Sequence, residues 1–274
     1  MTADLSMQGT VALVTGASRG VGRGAAAELS RLGGHVYATG RTVEGADLPA
    51  GVRRLACDHT DDDAVAAVFE RVRGESGRLD VLVNSAWGGY ERMMEDGRFT
   101  WALPFWDQPL WRWSAMFDAG VRAAFVASQH AARSMVPAGR GLIVNVSFWA
   151  AQRYLNNVVY GASKAATDKL TSDMAEELRG AGVSVVSLYP GLVRTEAVLA
   201  AGFFDLSNSE SPEFIGRAVA ALWKDPGLAR RSGSVVVAAA LGLELGFTDV
   251  DGKAPEPVRL QEPAERGIPR DPRR

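Results

Sequence analysis

Residues 10–22 read Thr10-Val11-Ala12-Leu13-Val14-Thr15-Gly16-Ala17-Ser18-Arg19-Gly20-Val21-Gly22. The first half is a short β-branched apolar run between Gly9 and Gly16, the pattern of a buried strand. The second half spaces its glycines as G-x-x-x-G-x-G. It then enters an alanine-rich stretch, residues 21–32, that reads as helix and is stopped by Gly33-Gly34. Glycines let the chain turn tightly and let a ligand approach the backbone. The helix start behind them offers free N–H groups to an anion such as a pyrophosphate. A glycine turn alone needs no ligand, and this spacing departs from G-x-G-x-x-G. What gives it weight is its place between the first strand and the first helix.

The rest of the chain repeats that alternation. Residues 35–39, 53–57, 79–83, 141–146, 183–188 and 234–238 are predicted strands. Residues 61–72, 111–135, 160–179 and 212–223 are predicted helices. Alternation at this spacing predicts an α/β fold: a Rossmann-type, doubly wound, seven-stranded parallel sheet with helices on both faces. Residues 1–254 read as one dinucleotide-binding and catalytic domain. Residues 255–274, rich in proline and charge, read as a loosely held tail.

Composition narrows the function classes. The 274 residues are 47% hydrophobic and 23% charged with a net charge of -2, so nothing points to nucleic acid or an anionic membrane. The longest apolar run, residues 235–243, is too short to span a bilayer. The start of the chain lacks a signal-peptide pattern, and the single Cys57 suits a reducing compartment; a cytoplasmic location is expected.

The chemistry concentrates at Tyr160-Gly161-Ala162-Ser163-Lys164. Positions i and i+4 share one helix face. A phenol has pKa about 10, and a nearby ammonium favours its phenolate, so this spacing can tune Tyr160 for proton transfer near neutrality. An isolated Y-x-x-x-K is more often a solvated helix face. Here lysine is rare, with four in the chain, and Ser147 stands thirteen residues before Tyr160 at the end of a predicted strand.

Thr15-Gly16-x-x-x-Gly20-x-Gly22, Asp58, Asn84-Ser85-Ala86, Ser147, Tyr160-x-x-x-Lys164 and Pro190-Gly191 occur in that order. Over residues 9–239 the chain resembles the short-chain dehydrogenase/reductase family. Residues 78–84, 135–139 and 249–252 are similar to its dehydrogenase/reductase member 1 branch, which implies an NADP(H)-dependent carbonyl reductase or alcohol dehydrogenase. The resemblance implies that Tyr160 protonates the substrate oxygen, that Ser147 donates a hydrogen bond to it, and that Lys164 serves both Tyr160 and the nicotinamide ribose. It implies cofactor contacts at Gly16, Ser18, Arg19, Gly20, Val21, Gly22, Asp58, Asn84, Ala86, Pro190, Gly191, Val193 and Thr195. A fourth family residue, an asparagine holding a water of a proton relay, is matched to Asp118, where an anion would raise the pKa of a nearby Lys164. Trp87 stands where the family has glycine.

Strand two ends in Thr39-Gly40-Arg41 with no acid to bind the hydroxyls of an NAD ribose, so Arg41 and Arg19 are expected to hold a 2′-phosphate. The connection 87–110 and its exit carry Phe99, Trp101, Phe105, Trp106, Trp111 and Trp113, and Phe148, Trp149 and Tyr154 follow Ser147. A long connection of this kind usually has a role, and these aromatics predict a bulky apolar ketone or secondary alcohol as substrate. The alanines Ala123, Ala124, Ala127 and Ala131 are expected to allow close helix contact in a homodimer or homotetramer. The alternative to an enzyme is a cofactor-loaded sensor whose catalysis has decayed, with Asp118 as its one supporting feature.

Overall fold

The computed structural model describes residues 3–258. Its main sheet holds seven parallel strands in the order β11-β8-β7-β4-β1-β2-β3. They are β1 (Val11–Val14), β2 (His35–Gly40), β3 (Arg53–Ala56), β4 (Val81–Asn84), β7 (Gly141–Val146), β8 (Val183–Tyr189) and β11 (Val235–Val237). Two small pairs complete the set: an antiparallel β5 (Met94–Glu95) with β6 (Arg98–Phe99), and a parallel β9 (Leu192–Val193) with β10 (Ser209–Glu210).

Side-chain alternation splits the core in two. Ala12 and Val14 face one cluster with α1 (Gly20–Arg31), α7 (Pro212–Lys224) and α9 (Ala238–Leu245). Val11 and Leu13 face the other, with α2 (Asp62–Ser76), α4 (Ala123–Ala138) and α5 (Val158–Glu177). Both faces of the parallel sheet are therefore covered, as its near-continuous apolar strands require.

The order of strands reverses at β1, which pairs with β2 on one side and β4 on the other. Register places Val14 beside Ala38 and Val83, and Asn84 beside Asn145. The segments that leave β1, β2, β4 and β7 thus emerge side by side at the carboxyl edge, where such sheets bind ligands.

Three local expectations change. The single helix over 111–135 is α3 (Trp111–Met116), a π-helical turn (Phe117–Arg122) and α4. The apolar run at 235–243 turns from strand to helix after Val237, because the alanine and leucine that follow favour helix. Of the four alanines, Ala123, Ala127 and Ala131 are buried within the chain and Ala124 is half-buried. Two short helices, α6 (Glu196–Ala201) and α8 (Leu228–Arg231), lie in stretches read as loop. Of the predicted tail, Glu256 exchanges hydrogen bonds with Asn208 at 3.0 and 2.8 Å; residues 259–274 lie outside the described residues. No helix among the described residues is long and apolar enough to cross a membrane.

Candidate active site

The glycine loop packs tightly against the chain leaving β4. Thr15 Oγ1 accepts from the N–H groups of Ser85 and Ala86, both at 3.1 Å. Gly16 has φ +66°, and a Cβ there would stand 2.6 Å from Ala86 backbone atoms, so a side chain is excluded twice over. Val21 packs on the first core cluster, and Ser18 Oγ sits over Gly40 at the end of β2. At the start of α1, the Gly20 N–H donates to Glu196 Oε2 at 2.9 Å, and Arg23 Nε holds Oε1 of the same carboxylate at 2.8 Å. Thr195, which caps α6, brings its methyl over Gly20. A carboxylate oxygen therefore already rests on the N–H that was read as an anion donor.

A second carboxylate marks a second anion position. Arg19 and Arg41, from different strand exits, both reach Glu91 Oε1, at 3.0 and 2.5 Å. Asp58 Oδ1 accepts from the N–H and hydroxyl of Thr60 at 2.9 and 2.7 Å, which hold its carboxyl below the usual carboxylate range. Asn84 turns inward. Its Nδ2 donates to Asn145 Oδ1 at 2.8 Å and Ser128 Oγ at 3.0 Å, and the ladder continues from Asn145 to Thr171. Asn84 therefore braces β4 and β7 from within the sheet. Beyond β8, the Gly191 N–H donates to Glu210 Oε2 at 2.9 Å, which fixes the turn at Pro190–Gly191. Val193 is buried on β9.

Ser147, Tyr160 and Lys164 are all buried. Asn157 caps α5 by accepting the Tyr160 N–H at 2.9 Å and donates to Trp101 O at 2.9 Å, so one residue sets the helix start and the aromatic wall beside it. Rings of Trp101, Trp87 and Phe148 stand 5.2, 5.4 and 6.3 Å from that of Tyr160. The Tyr160 hydroxyl accepts from Tyr90 Oη at 3.0 Å. Lys164 Nζ donates to Val146 O at 3.1 Å and lies 4.8 Å over the Trp87 ring.

This arrangement reverses the expected direction of the tyrosine shift. Burial pushes the Tyr160 phenol up, and Lys164 does not offset it. Burial brings the Lys164 ammonium down to about 8, against the pull of Asp168. Burial thus favours the protonated phenol at Tyr160.

Asp118 is not part of this set. It is exposed on the π-helical turn, and its carboxylate makes no side-chain hydrogen bond among the described residues. The residue of that turn against the site is Gly120, buried under the Trp87 indole. Of the aromatics on the long connection, Trp101 reaches Tyr160, while Phe99, Phe105, Trp106 and Trp113 are exposed. Sequence reasoning missed Tyr90, Glu91, Glu196, Glu210 and Gly120. Each acts across 19 or more positions of sequence, Arg19 to Glu91 across 72, and no local pattern signals such a contact.

A doubly wound sheet with a glycine cradle at its switch point and a buried Ser-Tyr-Lys set defines a nicotinamide-dependent class of oxidoreductase. Residues 10–201 match the short chain dehydrogenase family, and the chain belongs to it. It is 40% identical over 272 residues to "Dehydrogenase/reductase SDR family member 1" of Mus musculus, covering 90% of this chain and 85% of that protein. The human protein of the same name is also 40% identical, over 270 residues, so the chain falls in that branch. D-threitol dehydrogenase of Mycolicibacterium smegmatis is 33% identical over 70% of this chain and 74% of its own. Among solved structures, a short-chain type dehydrogenase/reductase from Mycobacterium ulcerans superposes with TM-score 0.71 at 29% identity, covering 85% of this chain and 89% of that one. A 7α-hydroxysteroid dehydrogenase complexed with NADH and 7-oxo glycochenodeoxycholic acid shares the fold, with TM-score 0.69 at 24% identity over 85% and 94% of the two chains.

Proposed function

We propose that the chain is an NADP(H)-dependent reductase of bulky, apolar ketones, or the corresponding secondary-alcohol dehydrogenase. The observation that carries the cofactor choice is the convergence of Arg19 and Arg41 on one carboxylate oxygen. Two guanidiniums that meet at one anion can meet at a 2′-phosphate. The cradle suits the rest of a dinucleotide: Gly16, Gly20 and Gly22 for the pyrophosphate, with Thr195 above, Asp58 for the adenine, and Ala86, Gly191 and Lys164 toward the nicotinamide. A bound dinucleotide supplies the hydride. The protein supplies Tyr160 as the acid and Ser147 as a donor to the oxygen on which charge develops. The aromatic rings around Tyr160 support a bulky apolar substrate.

The test is the ratio of kcat/KM with NADPH and NADH on a panel of aromatic and alicyclic ketones, in wild type and Arg41→Asp. Hydrogen bonds to a charged group are worth about 1.5–3 kcal/mol each. After discounting for the exposure of both arginines, a preference for NADPH of about a hundredfold is expected. A wild type that prefers NADH, or an Arg41→Asp enzyme with the same preference, overturns the cofactor choice. Preference for small charged ketoacids overturns the substrate class.

The exposed Asp118 favours one other reading, a cofactor-loaded sensor with weak catalysis. Tight NADPH binding without turnover of any ketone would select it. Homodimer or homotetramer formation through α4 and α5 remains part of the proposal, now resting on their exposed Phe125, Val136 and Val158. Light scattering that gives a monomer at micromolar concentration rejects it.

A further inference from the structure

We propose that Tyr90 is a second catalytic phenol, which passes a proton to Tyr160 after Tyr160 has given its own to the substrate oxygen. The inference rests on Tyr160 being the acid and adds the route by which it is recharged.

The Tyr90–Tyr160 contact, at 3.0 Å, is the one hydrogen bond to the Tyr160 hydroxyl among the described residues. Its direction matters. Tyr90 donates, so Tyr160 uses a lone pair on Tyr90 and keeps its O–H free to point at a substrate. Neither Lys164 nor Asp118 makes a hydrogen bond to the Tyr160 hydroxyl. Lys164 Nζ is bonded to Val146 O and lies on the Trp87 ring. Asp118 is exposed, and Gly120, facing the site from the same turn, has no side chain. Tyr90 itself is held by rings on two sides, Trp87 edge-on at 4.4 Å and Trp101 at 5.3 Å. As a residue Tyr90 is nevertheless half exposed, so it lies between the buried acid and the surface.

The proton balance closes. The Tyr160 O–H bond breaks as an O–H bond forms on the substrate alkoxide. The Tyr90 O–H bond then breaks as that of Tyr160 reforms, and the Tyr90 phenolate takes a proton from solvent water, releasing hydroxide that the buffer neutralises. Donor and acceptor are both phenols, so the middle step moves a proton between groups of one chemical kind. In the oxidation direction the same chain runs backwards, with Tyr90 carrying the proton outward.

Tyr90→Phe removes the hydroxyl and keeps the ring packing. With NADPH and the ketone that wild type reduces fastest, kcat is expected to fall by about tenfold or more. KM is expected to stay within twofold, roughly, and the pH profile of kcat to shift. NADPH binding, followed by tryptophan fluorescence, is expected to be unchanged. In a Tyr160→Phe background, removing the Tyr90 hydroxyl should cost nothing further, since the two act in series. A Tyr90→Phe enzyme with wild-type kcat and pH profile overturns the proposal. So does a loss of equal size in both backgrounds, or a gain in rate, which would make Tyr90 a plug. If wild type turns over no ketone at all, the reductase reading fails and the relay falls with it; if wild type turns over and Tyr90→Phe matches it, the relay alone fails.

Discussion

Trp87 and Gly120 share one space. A Cβ built on Gly120 would stand 2.6 Å from Trp87 Cδ1, and the indole that fills this space also carries the Lys164 ammonium on its face. The π-helical turn lies where the indole presses on the helix. Gly120→Ala is therefore expected to destabilise the protein by about 1–3 kcal/mol, the usual range for overpacking a filled core. Combining it with Trp87→Ala should recover much of that loss. Denaturant melts of the two single variants and the double give the coupling, and strictly additive effects would mean that the two residues do not compete for the space.

The Tyr160 and Lys164 roles separate by experiment. Tyr160→Phe removes the proton donor and keeps the aromatic ring. It should lower kcat by about a hundredfold or more and leave the NADPH dissociation constant nearly unchanged. Lys164→Ala should weaken NADPH binding, because its amine is proposed to face the nicotinamide. Near wild-type turnover in Tyr160→Phe would move the acid to another residue, Tyr90 being the nearest hydroxyl.

Glu91 holds Arg19 and Arg41, the two arginines proposed to receive a 2′-phosphate. Both arginines are more than half exposed, and exposed ion pairs are worth about 0.2–1 kcal/mol. Releasing both by Glu91→Gln should tighten NADPH by roughly two- to thirtyfold, with little change for NADH. The gain should shrink as salt is raised. Calorimetric titration with each cofactor at two ionic strengths checks this. Equal tightening for NADPH and NADH would place the effect outside the phosphate position.

What could be read in advance follows from how local each signal is. The sheet was legible because Val11–Val14 and the later strands are short apolar runs, each joined to a helix by its own punctuation. Ser147, Tyr160 and Lys164 could be singled out as candidates because their spacing is fixed within one helix and one strand exit. The direction of the Tyr160 shift was not, since it depends on how many atoms bury the phenol and on where the Lys164 amine points. Asp118 was misplaced for a related reason: in a π-helical turn the side chains advance differently from an α-helix, so position along the sequence does not give the facing residue. The alanine stripe of α4 fits a neighbouring helix and its own sheet equally well, and the sheet holds it.

The buried carboxylate under the Pro190–Gly191 turn should give the protein a pH-dependent stability. Burial pushes Glu210 from 4.5 up to about 7, even though it accepts the Gly191 N–H, and Asp249 adds to the rise. The folded protein therefore binds a proton at Glu210 more tightly than the unfolded chain does. This contribution is fully present below pH about 4.5 and is lost as pH rises through about 7. Its size is on the order of 3 kcal/mol for a shift of this kind. Glu210→Gln keeps a carbonyl oxygen for the Gly191 N–H and cannot ionise. Thermal melts from pH 5 to 8.5 are expected to show the wild type losing a few degrees, roughly, relative to the glutamine variant. The gap should open between the two pKa values and level off above the upper one. Parallel curves across that window would mean that Glu210 titrates alike in the folded and unfolded chain, and that the turn is held by an ordinary carboxylate.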